Sequence, residues 1–471
     1  MYFDSTTYFI FLFFVTGIYW CLSLKWQNRF LLIASYFFYG WWDWRFLFLI
    51  GASTVLNFIL AKKIYISKNK LYQKRIFVSL IVINLTFLGF FKYFNFFVDS
   101  FTDVLLILGL DYLPKSFWQI ALPPAISFYT FQEIAYIVDI YNRRLKPADS
   151  LIDYALFVSL FPHLIAGPIQ QPLHLLPQVQ FRRKWDSQKF FDGLMLLLEG
   201  LFRKVVIADN CGLIADAAFN GGFGEPSIMV ILLGTYAFAW QIYGDFSGYS
   251  NMARGSALLI GFHFMVNFRQ PYLSKSLRDF WRRWHISLSF WLRDYLYKPL
   301  GGNHFGELLT YRNLIFTMLL GGLWHGANWT FIVWGGIHGI GLAIERFLNS
   351  TMAFFSEENK FFAIWIRRFI VFHFICFSWL FFRTYSLDEA LHVISGLFTW
   401  IWLPVHGVAL IYLVLHVFPL LLIDIHLETS KGEYIFEYKP LIFRIGIGIA
   451  FVVFITLLGG NQSNAFIYFQ F

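Results

Sequence analysis

The chain has 471 residues, of which 58% are hydrophobic, 22% aromatic and 14% charged. Soluble domains carry about 45–50% apolar and about 25% charged residues, so this composition excludes a protein that covers its whole surface with water-facing side chains. The net charge of +9 would suggest nucleic acid in a soluble protein. Here the basic residues stand in short loops between apolar runs, the positive-inside pattern, and no nucleic-acid partner is expected.

The first apolar run, Thr6 to Leu24, has 19 residues and no charge, enough to cross a hydrocarbon core about 30 Å thick. Asp4 precedes it where a signal peptide would be basic, and no small-residue cleavage site follows, so an uncleaved first span is expected. The loop Lys62–Arg75 holds Lys62, Lys63, Lys68, Lys70, Lys74 and Arg75 and no acid, and the turn Lys25–Arg29 is also basic. Both are expected on the cytoplasmic side, with Trp41–Arg45 and the N-terminus outside. Further uncharged or nearly uncharged runs are Phe46–Ala61, Ile76–Phe91, Phe117–Val138, Pro226–Tyr243, Leu314–Ile344, Phe369–Phe382, Gly407–Ile423 and Ile445–Gly459. No repeat or linker divides them. The expected fold is one all-α polytopic transmembrane domain over residues 1–471. It would hold about 10 to 13 membrane-embedded helices, some re-entrant or interfacial, around a central channel.

Two regions depart from simple spans. Phe157–Gln180 contains Pro162, Pro168, Pro172 and Pro177, too many prolines for one continuous helix. Irregular backbone at membrane depth survives only against protein or a water-filled cavity, so a buried re-entrant turn is expected, an ordinary surface loop being the alternative. In Ser274–Lys298 the aromatic and apolar positions Trp281, Trp284, Leu288, Trp291 and Tyr295 recur at steps of three and four. So do the polar positions Arg278, Arg282, His285, Ser289 and Arg293. This spacing predicts one amphipathic helix at the membrane interface, its arginines meeting lipid headgroups as an anchor or some of them meeting the phosphates of a nucleotide-bearing donor.

Chemistry is expected in Leu314–Ile344. Between Arg312 and Glu345 no residue is charged at neutral pH, yet the run holds His325, in Gly-Gly-Leu-Trp-His-Gly-Ala-Asn-Trp, and His338, in Gly-Gly-Ile-His-Gly. Ionisable groups inside a membrane are costly and mark functional sites by default. A desolvated imidazole favours the neutral form that a general base needs. Gly321, Gly322 and Gly326 would let a substrate or another backbone approach closely. A buried histidine bonded to a neighbouring helix is the plainer alternative. Cys21, Cys211 and Cys376 stand far apart with no metal-binding spacing, so neither a metal nor a bound cofactor is expected. There is no phosphate loop and no Gly-x-Ser-x-Gly elbow.

Several strings together resemble the membrane-bound O-acyltransferase family. They are Trp284-His285-Ile286-Ser287-Leu288-Ser289, Leu292-Arg293-Asp294-Tyr295-Leu296-Tyr297, Pro299-Leu300-Gly301-Gly302-Asn303 and Gly322-Leu323-Trp324-His325-Gly326-Ala327-Asn328-Trp329. The likeness is closest to its alginate O-acetyltransferase branch. It extends to Ile126–Gln132, Ala166–Ile169, Arg203–Asn210, Asp245–Ser250 and the terminal Phe466–Phe471. Gly244, where an aromatic residue is expected, and Asn251, where Asp is expected, depart from the pattern without touching the histidine motifs.

The resemblance implies a catalytic histidine at His325 and a second functional histidine at His285. It further implies acetyl transfer, with acetyl-CoA as the acyl donor, toward an extracytoplasmic polysaccharide: alginate, another exopolysaccharide or peptidoglycan. The expected setting is the bacterial cytoplasmic (inner) membrane, and the expected partner a separate extracytoplasmic SGNH-like O-acetyltransferase. His325 would act as general base, with Asn328 orienting it or donating to the oxyanion. The alternatives are a D-alanyl transfer protein for teichoic acid and a non-enzymatic transporter or flippase for an envelope lipid. A flippase would carry paired charges along a mid-membrane pathway.

Overall fold

The computed structural model describes residues 1–110, 120–165, 167–352, 361–437, 439–459 and 466–467. Part of the run Phe117–Val138, Ala166 of one quoted motif and most of the terminal hexapeptide lie outside the described residues. Those described are helical or irregular, with no strand among them. Among the described residues seven helices are long and apolar enough to cross a membrane, and Thr6–Trp20 is a shorter apolar helix. The protein is a multi-pass, all-α membrane protein. It separates into two compact units, residues 5–187 with 257–264, and residues 2–4, 188–256 and 265–471.

In the first unit the helices are Thr6–Trp20, Leu24–Gly40, Phe46–Ile66, Lys70–Ile107, Ile126–Tyr141, Leu151–Ser159, Phe161–Leu164 and Pro172–Gln180. The basic turn expected at Lys25–Arg29 is instead the start of Leu24–Gly40, which Ser23 precedes. The loop Lys62–Arg75 shrinks to Ser67–Asn69, because Asn69 accepts from the Leu71 and Tyr72 amides and starts the next helix at Lys70. The proline-rich stretch is broken as its sequence requires. Pro162 and Pro172 sit in first turns, where a missing amide costs nothing. Residues 161–165 and 167–170 are buried, so the surface-loop alternative fails. Ile126–Tyr141 is buried along nearly its whole length. Polar residues tie the helices in hydrocarbon: Asn57 and Asn84 exchange amide bonds at 2.9 and 3.2 Å.

The second unit is built on Ile228–Leu259, which carries the motif Asp245–Ser250 on a helix mostly buried in protein. Ser187–Phe202 packs on it so closely that a Cβ at Gly200 would lie 2.6 Å from the Gly248 carbonyl oxygen; only glycine admits that approach. A six-residue π-helical segment, Arg203–Ala208, follows. Its Lys204 Nζ meets Asp209 Oδ1 at 2.8 Å and Asp245 Oδ1 at 3.0 Å, all three buried. Asp245 Oδ2 also accepts from the Ile467 amide at 2.7 Å. Charged side chains of two of the quoted motifs thus offset one another, since a charge left alone here would be costly.

Two expectations are corrected. Ser274–Lys298 is not one helix but Leu277–Arg283, Ile286–Trp291 and a π-helical Leu292–Tyr297. The break falls at His285, whose backbone is left-handed, φ 42°. There the Ile286 amide bonds the Asn267 carbonyl at 3.0 Å instead of continuing the helical ladder. Side-chain periodicity cannot register this, because the polar and apolar pattern runs through the break unchanged. Leu314–Ile344 is likewise not one span but a hairpin, Glu307–His325 turning at residues 326–328 into Trp329–Met352. A Cβ at Gly322 would fall 2.1 Å from the Phe331 carbonyl oxygen, and one at Gly335 2.3 Å from that of Met318, so two glycines bring the hairpin backbones together.

Candidate active site

His325 is the last residue of Glu307–His325 and is 4% exposed. Its ring stands among Trp324 at 5.0 Å, Trp334 at 5.0 Å and Phe382 at 5.4 Å between centres. Trp334 arrives on the returning arm of the hairpin and Phe382 on Phe361–Arg383. An imidazole so enclosed is kept from bulk water, and groups reacting beside it feel unscreened electrostatics.

His285 is brought to the same place from another part of the chain. It is fully buried, 6.4 Å from the ring of His325 and 6.0 Å from that of Trp324. At 6.4 Å between centres the two rings share no direct hydrogen bond. Phe246 of the Asp245–Ser250 motif covers His285 edge-on at 4.6 Å. His285 lies outside the seven helices that can cross a membrane, and burial pushes its imidazole down to about 3, so the resting form is neutral.

The sequence placed His285 on a polar face with Arg278, Arg282 and Arg293. The structure separates them: Arg278, Arg282 and Arg293 are exposed while His285 points inward. The left-handed residue turns the chain, so positions on either side of it no longer share a helix face. Arg293 pairs with the adjacent Asp294 at 2.9 Å, whereas Arg283 reaches another helix, donating to Glu428 at 2.6 Å as well as to Asp279 at 2.8 Å, with Arg368 sharing Glu428 at 2.9 Å.

His338 and Asn328 take other positions. His338 is fully buried; its Nδ1 accepts from Trp281 Nε1 at 3.3 Å and its Nε2 meets Ser378 Oγ at 3.0 Å. Both ring nitrogens are thus engaged with neighbouring elements, the plainer of the two readings. Asn328 lies past the end of the His325 helix, in the turn before Trp329–Met352. Its side-chain oxygen accepts from the Thr330 amide at 3.0 Å, starting the return helix, and its nitrogen donates to the Tyr385 carbonyl at 2.8 Å.

Sequence reasoning missed the groups that hold His285. Asn267 Oδ1 lies 3.3 Å from His285 Nδ1, and it accepts from the Ser287 amide at 3.1 Å and from Ser287 Oγ at 2.9 Å. Asn267 Nδ2 donates to Ser250 Oγ at 3.3 Å. Asn267 sits in an irregular stretch 18 residues before His285, where no periodicity or motif spacing marks it.

Two buried histidines from separate motifs, enclosed by aromatic rings beside the hairpin turn, form the candidate site. Known proteins are similar along the same stretch. The pattern of the membrane-bound O-acyltransferase family matches residues 143–387. A protein of Azotobacter vinelandii named "Probable alginate O-acetylase AlgI" is 43% identical over 401 residues, covering 85% of this chain and 78% of that protein. One of the same name from Pseudomonas putida is 38% identical over 501 residues, covering 100% of both chains. A Helicobacter pylori "Peptidoglycan O-acetyltransferase" is 38% identical over 413 residues, covering 81% of this chain and 75% of that protein. With the helical membrane fold and the paired histidines, these likenesses establish that the chain belongs to the membrane-bound O-acyltransferase family and is an O-acyltransferase.

Proposed function

We propose that the protein takes an acetyl group from cytosolic acetyl-CoA and passes it across the bacterial inner membrane for O-acetylation of an extracytoplasmic polysaccharide. The observation that carries this reading is the pair of buried imidazoles, His285 and His325, 6.4 Å apart. His325 takes the proton of the attacking hydroxyl, the new ester bond forms at the acetyl carbonyl, the thioester C–S bond breaks, and the proton passes to the departing thiolate. His285 lines the same enclosure and accepts a hydrogen bond from the thiol or hydroxyl beside it. The aromatic walls keep water from the thioester. Relatives whose names specify acetyl transfer to alginate or peptidoglycan favour acetyl over D-alanyl, and membership of an O-acyltransferase family disfavours a non-enzymatic flippase.

The polysaccharide is reached through a partner, an SGNH-like extracytoplasmic O-acetyltransferase. A sugar site needs a preformed concave surface lined with polar groups. The longest weakly apolar stretch of this chain, residues 263–312, is spent instead on the short helices around His285. Reconstitution tests the reading. Liposomes with acetyl-CoA inside and glycan outside should yield little acetylated glycan until the partner is added, and His325→Ala should abolish transfer while inserting normally. Full transfer by His325→Ala overturns the catalytic assignment. Efficient transfer without a second protein overturns the relay.

A further inference from the structure

Which nitrogen of His285 carries its hydrogen follows from the donors and acceptors around it. The Ser287 backbone N–H, 3.1 Å from the Asn267 side chain, is a donor that cannot be reversed. The Asn267 atom facing it must therefore be the carbonyl oxygen, which fixes the amide orientation, and Nδ2 is then directed to Ser250 Oγ at 3.3 Å. That same oxygen stands 3.3 Å from His285 Nδ1. A carbonyl oxygen only accepts, so Nδ1 must bear the hydrogen. Ser287 Oγ, 3.4 Å from Nδ1, has a nearer target for its own hydrogen in Asn267 Oδ1 at 2.9 Å, leaving its lone pair toward Nδ1. On the far side of the ring, Nε2 is buried with no hydrogen-bond partner among the described residues. A neutral imidazole with its hydrogen on Nδ1 has its lone pair at Nε2.

We propose that Asn267 is a positioning residue that holds His285 in the Nδ1–H form, so that Nε2 is presented to the acyl-transfer site as a lone pair. In this form His285 accepts a hydrogen bond or a proton from a hydroxyl or thiol and does not donate to the thioester carbonyl. The inference rests on the reading of His285 as a functional histidine. It goes beyond that reading by naming the residue that sets its tautomer and the direction in which its proton moves.

Asn267 also holds the turn at His285 through its backbone carbonyl, which bonds the Ile286 amide at 3.0 Å and survives side-chain substitution. Two substitutions therefore separate tautomer control from folding. Asn267→Ala removes the acceptor. The imidazole is then free to place its hydrogen on Nε2, and kcat should fall by about 10²- to 10³-fold with KM for the thioester nearly unchanged, the wrong tautomer being the cost. Asn267→Asp keeps an oxygen facing Nδ1 and Ser287, so activity should largely return. Its carboxylate also favours imidazolium, so activity should now be lost on the acid side at higher pH than in the native protein. A residue that merely braces the turn would not move that limb.

Both variants should be assayed as full-length protein in liposomes with acetyl-CoA and partner, alongside His285→Ala. In ¹⁵N-histidine-labelled protein, the His285 resonances, assigned by their loss in His285→Gln, should show hydrogen on Nδ1 in the native chain and not in Asn267→Ala. His285→Ala at full activity refutes the role of His285 itself. His285→Ala inactive, with Asn267→Ala and Asn267→Asp both near native and the pH profile unmoved, refutes the positioning role alone. Should Asn267→Ala fail to insert, hydrogen found on Nε2 of the native protein, or Asn267→Asp with no shift of its acid limb, still overturns the proposal.

Discussion

The hairpin seam makes a quantitative demand on Gly322. A methyl group there would lie 2.1 Å from the Phe331 carbonyl oxygen and 3.2 Å from Gly335 Cα. The oxygen belongs to the first turn of Trp329–Met352 and cannot swing away like a side chain. The hairpin must therefore open by about 1 Å to recover normal contact, an overpacking that costs about 1–3 kcal/mol. His325 ends the same helix three residues later, with its ring 5.0 Å from Trp334 on the arm being pushed off. A displacement of about 1 Å at a reacting group costs about 10²-fold in rate. Gly322→Ala should therefore insert in the membrane, melt at a lower temperature, and lose about two orders of magnitude in kcat. Gly336→Ala is the matched control. Its Cβ would meet only Leu319 Cδ2 at 3.4 Å, an ordinary contact, and alanine is better than glycine in a helix by up to about 1 kcal/mol. It should be as active as the native protein and as stable or slightly more so. The assay is acetyl transfer in liposomes, paired with a thermal melt in detergent. Equal activity and equal melting for the two variants would refute the claim that this seam places His325.

Two further predictions follow from the broken helix and from topology. Arg282→Ala should be silent because its side chain is exposed, whereas Arg283→Ala, which strips Glu428 and Asp279 of a partner, should destabilise by about 1–3 kcal/mol; equal melts would restore the single interfacial helix. With the native cysteines replaced, Ser67→Cys or Lys68→Cys should resist a membrane-impermeant thiol reagent in intact cells and label after permeabilisation, and labelling without it would invert the proposed orientation.

Much of the architecture was legible because hydrocarbon imposes simple rules. A shortage of charge gave the membrane, the apolar runs gave most of the long helices, and the clustered prolines gave the broken, buried stretch around Pro162 and Pro172. The hairpin turn was also written in the sequence. Gly326 and Asn328 are turn and helix-start residues, and Asn328 does start the return helix. It was missed because an uncharged run of that length invites reading as one span. The break at His285 carried no such mark. A left-handed, non-glycine residue is held by its surroundings rather than by its own preference, and those surroundings come from Asn267, far back in the chain.

His338 was marked by its uncharged run and His285 by the family resemblance, and both are fully buried, so burial does not distinguish them. The distinction lies in the hydrogen-bond account. His338 spends one nitrogen on Trp281 and the other on Ser378, so nothing is left over for a substrate. His285 spends Nδ1 on Asn267, and its Nε2 is answered by no protein group among the described residues. A buried imidazole nitrogen without a protein partner costs stability. In the proposed reaction a substrate hydroxyl or thiol supplies the missing hydrogen during turnover, and this offset to the cost is the physical reason we propose chemistry at His285 and support at His338.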